Sequence, residues 1–436
     1  MKNSPSPAWL GRGARNVFTT AERYRWLVWS ILVAAYMIAY FHRLSVSVVR
    51  EPLAARFGLT AAEFGTIASM YFYAYCLAQI PAGLLVDRVG ARLTAGFSMF
   101  ITAAGTIIFG YADSMLVLCV GRFIVGLGVS ACIICVLQVQ AQWYKEREFS
   151  TLSGVCLFTG NLGSLCGQTP LVLLMAALSF EKAFLVIGLG TLFLGFLCFA
   201  LVSNKPEDAG FAPINPPPEQ AAETVKISVY RSIAIVLGNR DLMVTYLFFF
   251  FMLPQLLTFA GAWSATFIQD VYGLSLAQAS NIASLQIVGF MIGTISLGYL
   301  SDRSGRRKPF ILYPSSVTLL IWIFLASAGE RPWPLTLFAA CLFGAGCFSG
   351  ATSVVLALCK ELSPRASMGT AIAALNTFGF MGIAIATPIY GAILDRFSQA
   401  SRSAQHGYAL MFMAAVTAVG VLATLGIRET HGQNIH

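Results

Sequence analysis

About a dozen apolar runs occupy most of the chain's 436 residues, each at least as long as the roughly 20 residues that carry a helix across a hydrocarbon core. No water satisfies backbone amides inside a bilayer, so a chain that crosses it folds either as helices or as a closed barrel. Strand-like alternation with a period of two is absent, which disfavours the barrel. Residues 25–47, 62–85, 92–112, 115–138, 149–173, 183–203, 241–268, 277–300, 309–328, 334–358, 367–394 and 408–427 are expected to span. Hydrophobic residues make up 57% of the chain and charged residues 11%, against about 25% charged in a soluble domain. A soluble core has no room for so much apolar side chain, so the expected fold is an all-α membrane protein of twelve transmembrane helices.

The spans fall into two sets. Gly83-Leu84-Leu85-Val86-Asp87-Arg88-Val89-Gly90-Ala91-Arg92 follows the second, and Gly298-Tyr299-Leu300-Ser301-Asp302-Arg303-Ser304-Gly305-Arg306-Arg307 follows the eighth, 302 − 87 = 215 positions later. The same register aligns Gly58 with Gly273, Ile67-Ala68-Ser69 with Ile282-Ala283-Ser284, Lys145-Glu146 with Lys360-Glu361, Gly154 with Gly369 and Asn161 with Asn376. A register held without a gap from about position 57 to 161 marks a duplicated half. The division expected is a segment 1–24, a six-helix bundle 25–203, a linker 204–240, a second six-helix bundle 241–428 and a tail 429–436. Within the linker, the proline-rich stretch Ala212 to Pro218 cannot form regular helix, because proline lacks the amide donor. Thr224 to Gly238 is expected to form a short interfacial helix.

The net charge of +9 is distributed as a membrane protein distributes it, which excludes nucleic acid as a partner. Lys2, Arg12, Arg15, Arg23 and Arg25 precede the first span, and Arg88, Arg92, Lys145, Arg147, Arg303, Arg306, Arg307, Lys308, Lys360 and Arg365 fall in alternate loops. By the positive-inside rule both termini are cytoplasmic, which requires an even number of spans. The first 24 residues are polar and lack an early apolar core, so a cleavable signal peptide is not expected. All ten cysteines fall in or beside apolar spans. Cys132 and Cys135 have the spacing of redox or zinc sites, but inside a helix without neighbouring acids or histidines they read as packing residues. No disulfide, metal or cofactor is expected.

Twelve spans duplicated as 6+6, a long central loop and the motif G-x-L-x-D-R-x-G-x-R after spans two and eight resemble the major facilitator superfamily. Gly121-Arg122-Phe123-Ile124-Val125-Gly126-Leu127-Gly128 in span four resembles that superfamily's intramembrane arginine motif. Within the superfamily, Tyr40-Phe41-His42-Arg43 is similar to the Asp-Arg pair that closes span one in organic anion:cation symporters, and Arg122 and Tyr75 match positions used there. The chain departs from that branch at two acids: His42 replaces the aspartate, and Val129 stands where an acid follows Arg122 by two turns. The resemblance implies a monomeric secondary transporter of the bacterial inner membrane, working on a small anion by alternating access. Bacterial nutrient importers, including amino-acid carriers, look similar around Tyr40 to Arg43. Span five lacks the Gly-Pro signature of drug/proton antiporters, which weighs against the efflux alternative, a drug or siderophore carrier.

Arg43 and Arg122 carry the functional argument, since a charge at membrane depth costs at least ~2.5–3.5 kcal/mol and normally faces an aqueous cavity or a partner. Arg122 lies nine residues past Asp113, roughly 13 Å along a helix at 1.5 Å per residue. A guanidinium offers a bidentate fork that fits a carboxylate. Arg43 has no counterpart in the second half, where Thr258 stands (43 + 215 = 258). His42 is the candidate for proton coupling. Tyr75 and Gln79 share a face of span two. Trp263 in span seven, Gln286 in span eight, and the symmetry mates Asn161 and Asn376 complete the expected substrate-binding set. The duplicated motif is expected to gate the cytoplasmic side: Asp87 and Asp302 accept from amides at a neighbouring helix N-terminus, and Arg88, Arg92, Arg303 and Arg306 pair with Glu146 and Glu361. The expected function is thus transport of a small carboxylate-bearing organic anion, as an importer and with proton coupling, with a zwitterion importer or an efflux carrier as alternatives. An enzyme would need a nucleophile–base or metal constellation, and His42, His406, His431 and His436, three of them near the C-terminal end, assemble none. A channel is disfavoured by the duplication with gating pairs.

Overall fold

The structure, a computed structural model, describes residues 21–214, 229–328, 331–364 and 367–433. Among the described residues, eleven helical stretches are long and apolar enough to cross a membrane, and the pair Thr151–Cys166 and Thr169–Leu178, bent by 42°, supplies a twelfth as span 5. The others are Ala21–Val48 (span 1), Ala61–Val89 (2), Ala91–Gly110 (3), Met115–Trp143 (4), Phe180–Leu201 (6), Arg240–Tyr272 (7), Leu276–Ser304 (8), Lys308–Ala326 (9), Leu335–Glu361 (10), Met368–Arg396 (11) and Arg402–Leu425 (12). Each of the twelve sequence windows falls on one of these helices, overrunning an end by at most two residues. Of the expected interfacial helix, Val229–Gly238 is helical, while 224–228 and the prolines at 216–218 lie outside the described residues.

The 215-residue register has a local physical origin. Gly58 ends the short helix Arg50–Phe57 at φ 64°, and Gly273 ends span 7 at φ 65°, a left-handed conformation that glycine adopts without a Cβ clash. Two residues later Thr60 opens span 2 with a capping box to Glu63, and Ser275 opens span 8 with a capping box to Gln278. Stop and start signals are therefore copied with the helices they bound.

The two six-helix bundles meet along spans 2 and 11. A Cβ on Gly65 would lie 2.7 Å from Pro388 Cα and 2.8 Å from Thr387 O. Gly391 packs equally closely on the Ala61 carbonyl, and Cys76 Sγ donates to Thr377 O at 3.5 Å. Spans 5 and 8 form the second seam, where Thr169 donates to Asn281 Oδ1 at 2.6 Å. Apolar side chains gain nothing by leaving lipid, so this close backbone approach through small residues is what holds such helices together. Span 7 carries a π-helical segment at Phe259–Trp263, a defect that often marks a functional position.

At the end of the bundle that carries the duplicated motif, the pairing differs from expectation. Glu361 is held by Arg307, not by Arg303 or Arg306, which are both exposed. Arg307 donates to Glu361 at 2.7 Å and to Asp302 at 2.6 Å, and its backbone amide donates to Glu429 at 2.8 Å. Arg307 is the register mate of Arg92 (307 − 92 = 215), yet Arg92 turns its guanidinium onto the Phe199 carbonyl at 2.9 Å and 2.6 Å. The amide at the start of span 3, Arg92 N, is capped by Asn204 Oδ1 rather than by Asp87; Asp87 and Arg88 are exposed. In each half the chain leaving the last span folds back to cap the third one, with Asn204 in the first half and Glu429 in the second. The side chain of Glu146 lies outside what is described.

The side chains of Arg307 and Glu361 are 9% and 12% exposed, and removing one member of so buried a pair costs about 3 kcal/mol or more. Arg307→Ala is therefore expected to lower the apparent melting temperature of the purified protein and shorten its half-life, and Arg306→Ala to leave both unchanged. Equal effects of the two substitutions in a thermal-shift assay would refute this pairing.

Candidate functional site

Span 1 ends in an α-helix, Ala21–Leu44, tightened into a 3₁₀ turn at Ser45–Val48. His42 and Arg43 occupy the last helical turn and are buried, at 1% and 6% exposure. The Arg43 guanidinium carbon lies 4.2 Å from the Tyr40 ring centroid, 4.9 Å from Phe380 and 5.8 Å from Tyr75. Its Nε is buried and meets no protein acceptor. Aromatic faces attract a desolvated cation but leave its in-plane N–H donors free.

Arg122, 2% exposed, reaches the same place from span 4. Its Nη1 donates to the His42 carbonyl at 2.9 Å, and its guanidinium carbon lies 5.1 Å from the Tyr71 ring. Nε and Nη2 are buried without a protein acceptor. Tyr71 stacks on Tyr75 at 6.1 Å and donates to Ala39 O at 3.1 Å, so one wall of span 2 serves both arginines. The Thr106 hydroxyl donates to Thr102 O at 2.7 Å, so it accepts from His42 Nε2 at 3.2 Å. The ionisable neighbours of Arg43 include Tyr71, Tyr40, Tyr75 and Tyr36, and those of Arg122 include Tyr71 and His42. The chain's 19 acidic residues all stand at span ends or between spans.

The remaining expected residues divide. Gln79 is 4% exposed and Gln286 fully buried. Gln79 Nε2 and Gln286 Nε2 meet no protein acceptor, and Gln286 Oε1 meets no protein donor. Asn161 bonds within its own helix, Nδ2 to Leu157 O at 2.9 Å, and is not hydrogen-bonded to its mate Asn376, which is half-buried. Trp263 is placed elsewhere: its indole N–H donates to Thr387 O at 3.2 Å, it stacks on Tyr390 at 5.0 Å, and it meets Phe64 edge-on at 5.5 Å. It belongs to a seal at the end of the bundle opposite the duplicated motif.

That seal contains charged residues that sequence reasoning left unused. Asp395, at the end of span 11, accepts from the amides of Ala61 and Ala62 at 2.9 and 2.8 Å, a carboxylate on the N-terminus of a helix from the other half. Asp270 is shared between His406 Nε2 at 3.1 Å and Arg50 of the first half at 4.0 Å. Gln269 donates to Glu51 at 2.8 Å. Hydrogen bonds between the halves thus gather at this end, and Phe380, also not anticipated, is the second-half side chain that lies against Arg43. The signals were available as single acids in the last turns of spans 7 and 11 and a histidine in the first turns of span 12. Their partners come from elements far apart in sequence, 334 positions for Asp395 and Ala61.

The family model described as Major Facilitator Superfamily matches residues 32–387 and, in a second match, 257–434. A probable sulfoacetate transporter of Cupriavidus necator is 24% identical over 420 residues, 92% of this chain and 94% of that protein. A D-galactonate transporter of Escherichia coli is 24% identical over 429 residues, 92% and 95% of the two chains. Among solved structures, a D-xylose–proton symporter superimposes with a TM-score of 0.75 at 14% identity, covering 94% of this chain and all of that one.

Proposed function

The chain belongs to the Major Facilitator Superfamily, and from that premise we propose that it imports a small organic anion bearing a carboxylate, by alternating access between its two halves. The observation that carries this reading is the pair of buried guanidiniums at Arg43 and Arg122: Arg43 Nε and Arg122 Nε and Nη2 meet no protein acceptor, and neither arginine makes a salt bridge among the described residues. A charge in such a place is stabilised by a ligand of opposite sign. Relatives named for sulfoacetate and D-galactonate, both anions, support it. A zwitterion is less suited, because its ammonium group would also need a carboxylate near the arginines.

Arg25, Arg88, Arg92, Arg303, Arg306, Arg307 and Lys308 crowd the motif end, which the positive-inside rule assigns to the cytoplasm of a bacterial inner membrane. On that assignment the sealed end faces outward, and Trp263, Phe64 and Tyr390 screen the arginines from outside. Rocking the halves would separate Asp395 from Ala61 and Asp270 from Arg50. His42 is the candidate for moving a proton with the substrate.

In a thermal-shift assay of purified protein, carboxylates are expected to raise the melting temperature, whereas lipophilic cations and neutral sugars leave it unchanged. Stabilisation by lipophilic cations with no response to any anion would replace the reading by that of an efflux carrier.

A further inference from the structure

We infer that the ligand carries two negative charges, one for each buried arginine, so that a dianion is taken in preference to the monoanion of the same size. The inference rests on the anion reading above and narrows it. Arg43 and Arg122 both approach from the first half, and they share the Tyr71–Tyr75 wall. Arg122 Nη1 holds the carbonyl of His42, the residue next to Arg43. Three guanidinium nitrogens, Nε of Arg43 and Nε and Nη2 of Arg122, are buried without a protein acceptor. The ionisable groups facing them are His42 and Tyr36, Tyr40, Tyr71 and Tyr75, none of which carries a negative charge at neutral pH.

The two charges are thus left uncompensated by side chains, in a medium where each raises the energy of the other. A single carboxylate neutralises one and leaves the second buried. A dicarboxylate, a sulfocarboxylate and a phosphate monoester share the chemistry required, and each presents oxygens that a guanidinium fork accepts. Unlike Arg307, whose charge is satisfied by Glu361 and Asp302, these two arginines make no salt bridge among the described residues.

The test uses matched pairs on the full-length protein in proteoliposomes at neutral pH: succinate against its monomethyl ester, sulfoacetate against its methyl ester, and glycerol 3-phosphate against its methyl phosphodiester. Each pair keeps size and removes one charge. At least one parent is expected to bind or exchange about tenfold or more better than its ester, and the responding pair identifies the anionic group. Arg122→Gln should lower affinity for that parent more than for the ester, drawing the ratio toward one, and Arg122→Lys should restore part of it. A merely structural role for Arg122 would lower both members together and leave the ratio intact. Esters matching their parents in the wild type would overturn the dianion while leaving an anion carrier standing. Silence from every parent and ester would overturn both.

Discussion

Arg43→Ala is expected to lower uptake by about a hundredfold or more, without loss of folded protein. Truncating one side of a buried, hydrogen-bonded charge pair costs about 2–5 kcal/mol, and each 1.4 kcal/mol is about a factor of ten. The unusual part of the expectation is the stability of the empty protein. Arg43 makes no salt bridge among the described residues, and its Nε has no acceptor, so its removal takes away a desolvated cation without orphaning a carboxylate. The apparent melting temperature without ligand should therefore stay level or rise, while the ligand-induced shift disappears. Arg43→Lys keeps the charge but loses the planar fork, and should fall between the two. Uptake within twofold of wild type in Arg43→Ala would remove this residue from the site. A collapse in folded yield would show instead that Arg43 is a structural cation held by the rings of Tyr40 and Phe380.

The contrast between Arg43 and Arg307 also shows which parts of the molecule are legible in its sequence. The spans follow directly from apolar length, and their ends from caps such as Thr60–Glu63 and Ser275–Gln278, because those signals act over three or four residues. The duplication follows from the register those signals keep. Arg43 and Arg122 stand out because charge at membrane depth demands an explanation. What fails is side-chain direction. Arg306 and Arg307 lie in the short connection between Ser304, where span 8 ends, and Lys308, where span 9 begins, and the path of that turn decides which of them meets Glu361 and which is exposed. Trp263 follows a similar logic: the π-helical segment at 259–263 alters the rotation of the turns around it, and the indole points into the outer seal. Asp395 and Phe380 were not legible because what they do depends on contacts across the two halves, and His406 because its partner Asp270 stands 136 positions away; no local spacing records those.

The same seam between halves yields the second large effect, which reports on gating rather than on binding. Gly65→Val is expected to abolish uptake while leaving anion binding in place. In the present conformation even a bare Cβ at residue 65 would stand 2.7 Å from Pro388 Cα and 2.8 Å from Thr387 O, and a β-branched side chain adds two methyl groups that the helix cannot rotate away. Spans 2 and 11 would have to part, and with them the Asp395 carboxylate and the Ala61 and Ala62 amides. Gly65 touches neither arginine, so the anion-induced thermal shift should persist. The conformational consequence is measurable with spin labels at Tyr111 and Ser398, which are exposed on the first and second half at the sealed end: their separation should shift to longer distances by several ångströms. Gly190→Val is the matched control, since a Cβ there meets nothing within 4 Å, and it should transport normally. An unchanged label distance in a folded, inactive Gly65→Val protein would mean that the seam tolerates the valine and that its closure is not the step the glycine permits. Normal uptake would mean that the close packing of Gly65 on Pro388 is not needed at any stage of the cycle.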